Sequence, residues 1–359
     1  MAPRTDRPVI ALAMGDPAGI SPELTAKLLA DPEVRAAADF VVFGDRRVLA
    51  AGEQVAKVKV DVPVWAAGSS TTGVSSGDLF VDLQHLDPAA IKRGEATAMG
   101  GAFALANFRS ALRFAANGGA GAVTFTPFNK FAMRQAWPSY DDEIAIVTET
   151  IGAKVNGREF NVLGKLWNAR ITSHVPLSGV APLITKEAVI RGLTLTDQCM
   201  RAAGFSKPRI AVAGLNPHAG DGGNFGREEI DIIEPAVAEA KARGIVCDGP
   251  FPSDTVFLRA KRGDFDAVQT MYHDQGQIAM KMMGFEEGVT LIGGYPFPVC
   301  TPAHGTAYDI AGKGIAHPGA TRQAMLIAAS MATPVSAQSQ GSRAQLLTLA
   351  LDEARKAAA

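Results

Sequence analysis

The sequence predicts an α/β protein of two lobes built on a largely parallel sheet, and three observations carry that prediction. Short apolar runs of β type alternate along the chain with amphipathic or Ala-rich stretches of helical length. The 359 residues exceed the roughly 250–300 at which a single hydrophobic core stops growing. Histidines and glycines also follow several of the strand-like runs, where open α/β sheets gather their ligands.

In chain order, Pro8 to Met14 is the first buried strand. It is too short to span a bilayer and meets Gly15-Asp16-Pro17 rather than a signal-cleavage site. Asp16 falls near a helix N-cap, with Pro22 in the first turn of a helix running to Ala30. Phe40 to Phe43 reads as strand and Arg46 to Glu53 as helix; Ala67 to Asp78 is a loop rich in Gly, Ser and Thr. Asn117-Gly118-Gly119 marks a turn before a strand at Gly121 to Phe125. Strands follow at Phe160 to Leu163, Ile171 to Val175 and Arg209 to Gly214, with helices at Lys186 to Ala203 and Ile230 to Arg243. Phe265 to Met271 is a further strand ending at His273. No internal repeat is present.

Composition narrows the function classes. Lys and Arg number 35 against 36 Asp and Glu, which lacks the basic excess of a nucleic-acid or membrane-surface protein. The three cysteines form no CxxC pair, and an odd count suits a reducing compartment, so a cytoplasmic location is expected. No stretch approaches transmembrane length.

The densest chemistry lies in Met271 to Lys281, where an imidazole, a carboxylate, an amide and an ammonium surround Gly276. His174 and His218 likewise follow short β-type runs and sit beside prolines. Three strand-end histidines, His174, His218 and His273, suit one divalent metal with coordination positions left for substrate. A lone histidine of this kind is more often a core or cap residue, and it is the set of three that favours the metal. His85 and His317 sit in turns that look superficial, and no role is assigned to them. No GxGxxG follows the first strand; Gly220 to Gly226 does not match its spacing, although consecutive Gly amides there suit an anion nest ahead of a helix near Arg227.

The ordered motifs Gly15 to Glu23, Gly214 to Gly220, Tyr272 to Gly276 with Lys281, and His304-Gly305-Thr306-Ala307 with Asp309 to Gly314 closely resemble the 4-hydroxythreonine-4-phosphate dehydrogenase family. The resemblance runs from about Ile10 to Met325. It implies the two-lobed α/β/α fold of the isocitrate and isopropylmalate dehydrogenases, with lobes at 1–138 plus 305–359 and at 139–304. It further implies an oxidoreductase acting on a secondary hydroxyl of a small hydroxy acid, with NAD or NADP, a divalent Zn, Mg, Mn or Co ion and coupled decarboxylation. A homodimer with a shared active site is part of the same expectation. By the resemblance His174, His218 and His273 are the metal ligands, and Lys281 and Asp254 are the catalytic pair. Gly220, Gly222, Gly223 and His304 are assigned to the cofactor. Read alone, Asp254 is a helix N-cap and His304 a turn residue.

The pattern breaks at the substrate. A family His-Thr pair falls on Asp141-Asp142, an Asn on Thr290 and an Arg on Val299, while the family Lys is kept as Lys281. Asp141 and Asp142 either face substrate or start a solvated helix. Each lost charge-assisted contact to a phosphate is worth about 1.5–3 kcal/mol, so a substrate that relies less on phosphate is expected. Dehydrogenases of cis-dihydrodiol dicarboxylates or of sugar acids are the alternatives within the superfamily. A ligand-binding homologue without turnover is the alternative outside enzymology.

Overall fold

A computed structural model describes residues 7–66, 76–154, 156–335 and 343–349. The loop expected at Ala67 to Asp78 lies outside the described residues from 67 to 75. Five strands come first: Val9–Ala13 (β1), Asp39–Gly44 (β2), Val64–Ala66 (β3), Leu79–Asp82 (β4) and Ala122–Phe125 (β5). Six more follow: Arg158–Leu163 (β6), Leu166–Arg170 (β7), Ile210–Ala213 (β8), Cys247–Phe251 (β9), Ala267–Thr270 (β10) and Val289–Gly293 (β11). Val299–Pro302 is β12.

The chain forms two compact units, Met1–Arg158 with Gly294–Ala359, and Glu159–Gly293. Both seams differ from the sequence expectation, since 139–158 and 294–304 pack with the first unit. The reason is pairing: Val299 and Cys300 are in parallel register with Val123 and Thr124 of β5, and the helix Glu143–Ile151 packs on the helix Ala98–Ala116.

In the first unit the strands run β3-β4-β2-β1-β5-β12, with every described pairing parallel. β1 is buried at all five positions, as a central parallel strand covered on both faces requires. The helix Ala98–Ala116, which the sequence reading missed, packs on β1, β2 and β5. Its Thr97 accepts the Gly100 amide as N-cap at 3.1 Å.

The second unit orders its strands β11-β6-β7-β10-β8-β9. β6 and β7 form an antiparallel pair, whereas β7, β10, β8 and β9 are parallel. The strand expected at Ile171 to Val175 lies earlier, at Leu166–Arg170. Ile171 and Thr172 keep two ladder bonds, to the carbonyls of Thr270 and Met271, before the backbone turns at His174 with φ 38°. Helix Lys186–Ala202 starts at a Thr185 cap, and Ser253–Lys261 and His273–Gly284 pack against β10.

Candidate active site

The second unit gathers the expected metal ligands at one edge of its sheet. β10 lies between β7 and β8, and all three run parallel. His174 follows β7, His273 follows β10 and His218 follows β8, so the three histidines emerge from the carboxyl ends of adjacent strands. Thr172 N–H and Oγ1 both donate to Met271 O, at 3.0 and 2.9 Å, locking the two strand ends together just before His174 and His273. The rings of His174 and His273 stand 5.6 Å apart.

His273 Nδ1 lies 2.6 Å from Asp274 Oδ1. With the proton on Nδ1, that contact directs the Nε2 lone pair outward, the arrangement that orients metal-ligating histidines. His218 is exposed, with its ring 6.0 Å from Phe225. Among the described residues no three His, Cys, Asp or Glu side chains are grouped closely enough to hold a metal ion. The structure therefore brings His174 and His273 into apposition and places His218 on the neighbouring strand end. The two imidazoles, one beside a carboxylate, are donors of the kind that zinc or cobalt takes, and they supply two of the ligands such an ion needs.

Two buried amides organise these strand ends. Gln275 accepts the Met271 amide at 2.8 Å and donates to Gly214 O at 2.9 Å, joining the His273 segment to the His218 segment. Asn168, fully buried in β7, donates to Ala169 O, Val268 O and Thr270 Oγ1. Gly276 is a helical residue pressed on that carboxamide: a Cβ there would stand 2.0 Å from Asn168 Oδ1. Close approach to a neighbour, not a turn, is what requires glycine at this point.

The loop after β8 has an unusual backbone. His218, Ala219, Gly220, Asp221 and Gly222 all have positive φ, three of them with a Cβ. A left-handed conformation costs roughly 1–2 kcal/mol for each such residue, so the surrounding structure has to impose it. Glu229, 1% exposed, does so from within, accepting the amides of Leu215 and Asn216 at 2.7 and 2.8 Å and Asn216 Nδ2 at 2.9 Å. A carboxylate of the chain itself thus takes the first amides of the loop. Gly222 and Gly223 remain at the outer side, exposed and half-buried.

Lys281 and Asp254 are exposed in the same unit. Lys281 lies eight residues beyond His273 on helix His273–Gly284, a spacing that returns to the same stripe of the helix. Asp254 occupies the first turn of Ser253–Lys261 and does not cap it; that position is Pro252. Thr290 is half-buried in β11.

The first unit holds the other expected residues. Asp142 is the N-cap of Glu143–Ile151, accepting the Ala145 amide at 2.8 Å, and Asp141 before it is exposed. Val299, expected among the substrate contacts, is instead fully buried, paired with Val123 in the sheet interior. His304 is half-buried, its Nδ1 3.1 Å from Gly305 O and its buried Nε2 without a hydrogen bond among the described residues. Burial holds its pKa below that of an ordinary histidine.

Two polar groups in this unit were misplaced by the sequence reading. Asp16 caps no helix; it is 1% exposed, accepts the Ala18 amide at 2.8 Å and receives the Tyr308 hydroxyl at 2.6 Å. Burial raises its pKa, against the opposing pull of those two donors. The pair ties the loop after β1 to the His304 segment, where Ile20 N–H also bonds Thr306 O at 3.0 Å. His85, read as superficial, stacks on Phe103 at 4.7 Å with both ring nitrogens buried, and burial lowers its pKa.

Comparison with known proteins agrees with this architecture. Residues 36–328 match the family model described as pyridoxal phosphate biosynthetic protein PdxA. A Rhizobium meliloti protein with the provisional name 4-hydroxythreonine-4-phosphate dehydrogenase 2 is 61% identical over 91% of this chain and 94% of its own length. The crystal structure of 4-hydroxythreonine-4-phosphate dehydrogenase from Klebsiella pneumoniae superposes with a TM-score of 0.76 at 33% identity, covering 92% of this chain and all 100% of that one. A terephthalate 1,2-cis-dihydrodiol dehydrogenase from Burkholderia xenovorans gives a TM-score of 0.64 at 28% identity, over 91% of this chain and 99% of its own.

Proposed function

The chain belongs to the PdxA family, and from that premise we propose that it is a metal- and NAD(P)-dependent dehydrogenase oxidising a secondary hydroxyl of a hydroxy acid, with coupled decarboxylation where a carboxylate lies β to the new ketone. The observation that carries the reading is the apposition of His174 and His273 at 5.6 Å, at the ends of parallel strands, with His218 on the next strand end. Bound groups would supply two things: a divalent ion to stabilise negative charge on the substrate oxygen, and a nicotinamide to take the hydride as C–O becomes C=O.

The protein's own residues do the rest. His174, His218 and His273 hold the ion in this proposal, and Asp274 keeps the proton of His273 on Nδ1. Lys281 positions the acid group of the substrate and moves the hydroxyl proton at Nζ, with Asp254 as its carboxylate partner. His304, whose Nε2 has no hydrogen bond among the described residues, and Gly220, Gly222 and Gly223 are the residues assigned to the cofactor in this proposal. The enzyme works as a cytoplasmic homodimer. Among the described residues no helix is long and apolar enough to cross a membrane.

On the substrate, the carried-over positions hold Asp141, Asp142, Thr290 and a buried Val299, with Lys281 as their single cation. That set favours a hydroxy acid or diol over one held through a phosphate dianion. A dihydrodiol acid is the second reading, favoured by the likeness to the terephthalate dihydrodiol enzyme.

Elemental analysis tests the metal: about one divalent ion per subunit is expected for a three-ligand site, with His174→Ala, His218→Ala and His273→Ala each reducing it. Equal metal content in all three variants and the parent ends the proposal. Absorbance at the nicotinamide band, with a panel of phosphorylated and unphosphorylated hydroxy acids, then separates turnover from binding alone. A kcat/KM that is highest for 4-phosphohydroxythreonine overturns the substrate reading.

A further inference from the structure

We propose that Arg170 is the positioning residue that fixes His174 and His273 relative to each other. The inference rests on the metal reading above. Arg170 ends β7 and is 6% exposed. Its Nε donates to Ser173 Oγ at 3.0 Å, beside His174, and its Nη1 donates to Asn161 Oδ1 of β6 at 2.8 Å. Asn161 Oδ1 also accepts Gln277 Nε2 at 2.9 Å, and Gln277 stands one helical turn after His273. A single guanidinium thus holds the neighbour of one histidine directly and the helix of the other through one shared oxygen.

The remaining nitrogen strengthens the argument. Nη2 makes no hydrogen bond among the described residues but lies 2.7 Å from Glu159 Oε2, so that contact is charge attraction. An ion pair with one partner buried and the other half-buried is weak support for stability, because replacing both partners by apolar side chains of similar volume is often neutral or stabilising. What an apolar residue lacks at this position is the fork of donors that reaches Ser173 and Asn161 at once. His174 needs such a restraint, since its φ of 38° is rare for a residue with a Cβ and persists only where neighbours impose it.

The test uses full-length protein stripped of metal and titrated with cobalt(II), whose visible ligand-field spectrum reports geometry as well as occupancy. Arg170→Met and Gln277→Leu are compared with the parent and with His273→Ala. Arg170→Met leaves Glu159 without its partner and Asn161 Oδ1 without this donor, and is expected to unfold in the metal-free state below the parent's midpoint. Under conditions where it is folded, it should bind cobalt about tenfold to a hundredfold more weakly, with an altered spectrum, as loss of groups that orient metal ligands generally does. Gln277→Leu, which leaves the buried ion pair in place, is expected to shift affinity in the same direction and decides the matter if Arg170→Met does not fold. Parent-like affinity and spectrum in both variants overturn the proposal and leave the metal reading standing. No cobalt binding by the parent removes the metal reading, and this proposal with it.

Discussion

Replacing Gly276 with alanine is expected to destabilise the second unit, although the position is helical and alanine is the better helix former by about 1 kcal/mol. The added Cβ would stand 2.0 Å from Asn168 Oδ1 and 2.5 Å from its Cγ, so one partner has to move. Asn168 cannot swing aside cheaply, being fully buried and donating at 3.2, 3.1 and 3.3 Å to Ala169, Val268 and Thr270. Overpacking of this kind costs about 1–3 kcal/mol, and three long hydrogen bonds displaced at the weak end of about 0.5 kcal/mol each add to it. Less the propensity gain, the net cost is about 1.5–3.5 kcal/mol. Trp167 adjoins Asn168 in β7 and is the only tryptophan of its unit, so urea unfolding followed by its fluorescence, with Trp65 and Trp137 changed to Phe, reads the effect locally. In an Asn168→Ala background the clash partner is gone and Gly276→Ala should cost nothing or stabilise. Equal cost in both backgrounds, or no cost in the first, refutes the reasoning.

Two further outcomes concern the first unit. Burial depresses the pKa of His85, so the unfolded chain takes up a proton near the ordinary histidine value while the folded one does not; stability is retained above about pH 6.5 and falls as pH drops toward the folded pKa. His85→Phe, keeping the stack on Phe103, should flatten the decline in melting temperature between pH 7 and 5, and an unchanged slope would show that His85 is not its source. Tyr308→Phe removes the hydroxyl that bonds Asp16 at 2.6 Å and should raise the already elevated Asp16 pKa further, visible in carboxyl-carbon NMR titration; a fall in that pKa would contradict the burial argument.

The uninterrupted apolar strands were legible because parallel strands covered on both faces need no polar alternation: Val9–Ala13, Ala122–Phe125 and Ile210–Ala213 sit within a residue or two of their expected limits. β7 was not, because it buries Asn168 and Arg170. Each donates to a partner elsewhere in the sheet, Asn168 to Val268 O and Arg170 to Asn161 Oδ1, and nothing local announces those bonds, so the β-branched Ile171 and Val175 drew the strand assignment downstream. The helix Ala98–Ala116 was missed for a related reason. Its Gly100 and Gly101 weaken the propensity signal, yet Gly101 has to lack a Cβ, which would meet Ala132 O at 2.0 Å. The three histidines stand out in the sequence through their motifs, and all three lie just after strands of the second unit. Their adjacency follows from the strand order β7-β10-β8, which sequence spacing does not encode.

The departures from the family pattern acquire structural roles once placed in the fold. Asp142 spends its carboxylate on the Ala145 amide, so that charge caps a helix. Glu143 beside it accepts the Tyr140 hydroxyl at 2.7 Å and faces Lys130 at 3.6 Å, which engages a second carboxylate of the same turn. Val299 is apolar in an interior strand, where an uncompensated guanidinium would be expensive to desolvate. Asp142 and Val299 thus each satisfy their own neighbourhood, one as a helix cap and the other as an interior strand residue. Lys281, the residue kept from the family pattern, lies on the helix that begins with His273. The seating of that helix depends on Gly276, pressed on the buried Asn168 of β7, and on Gln277, bonded to Asn161 of β6.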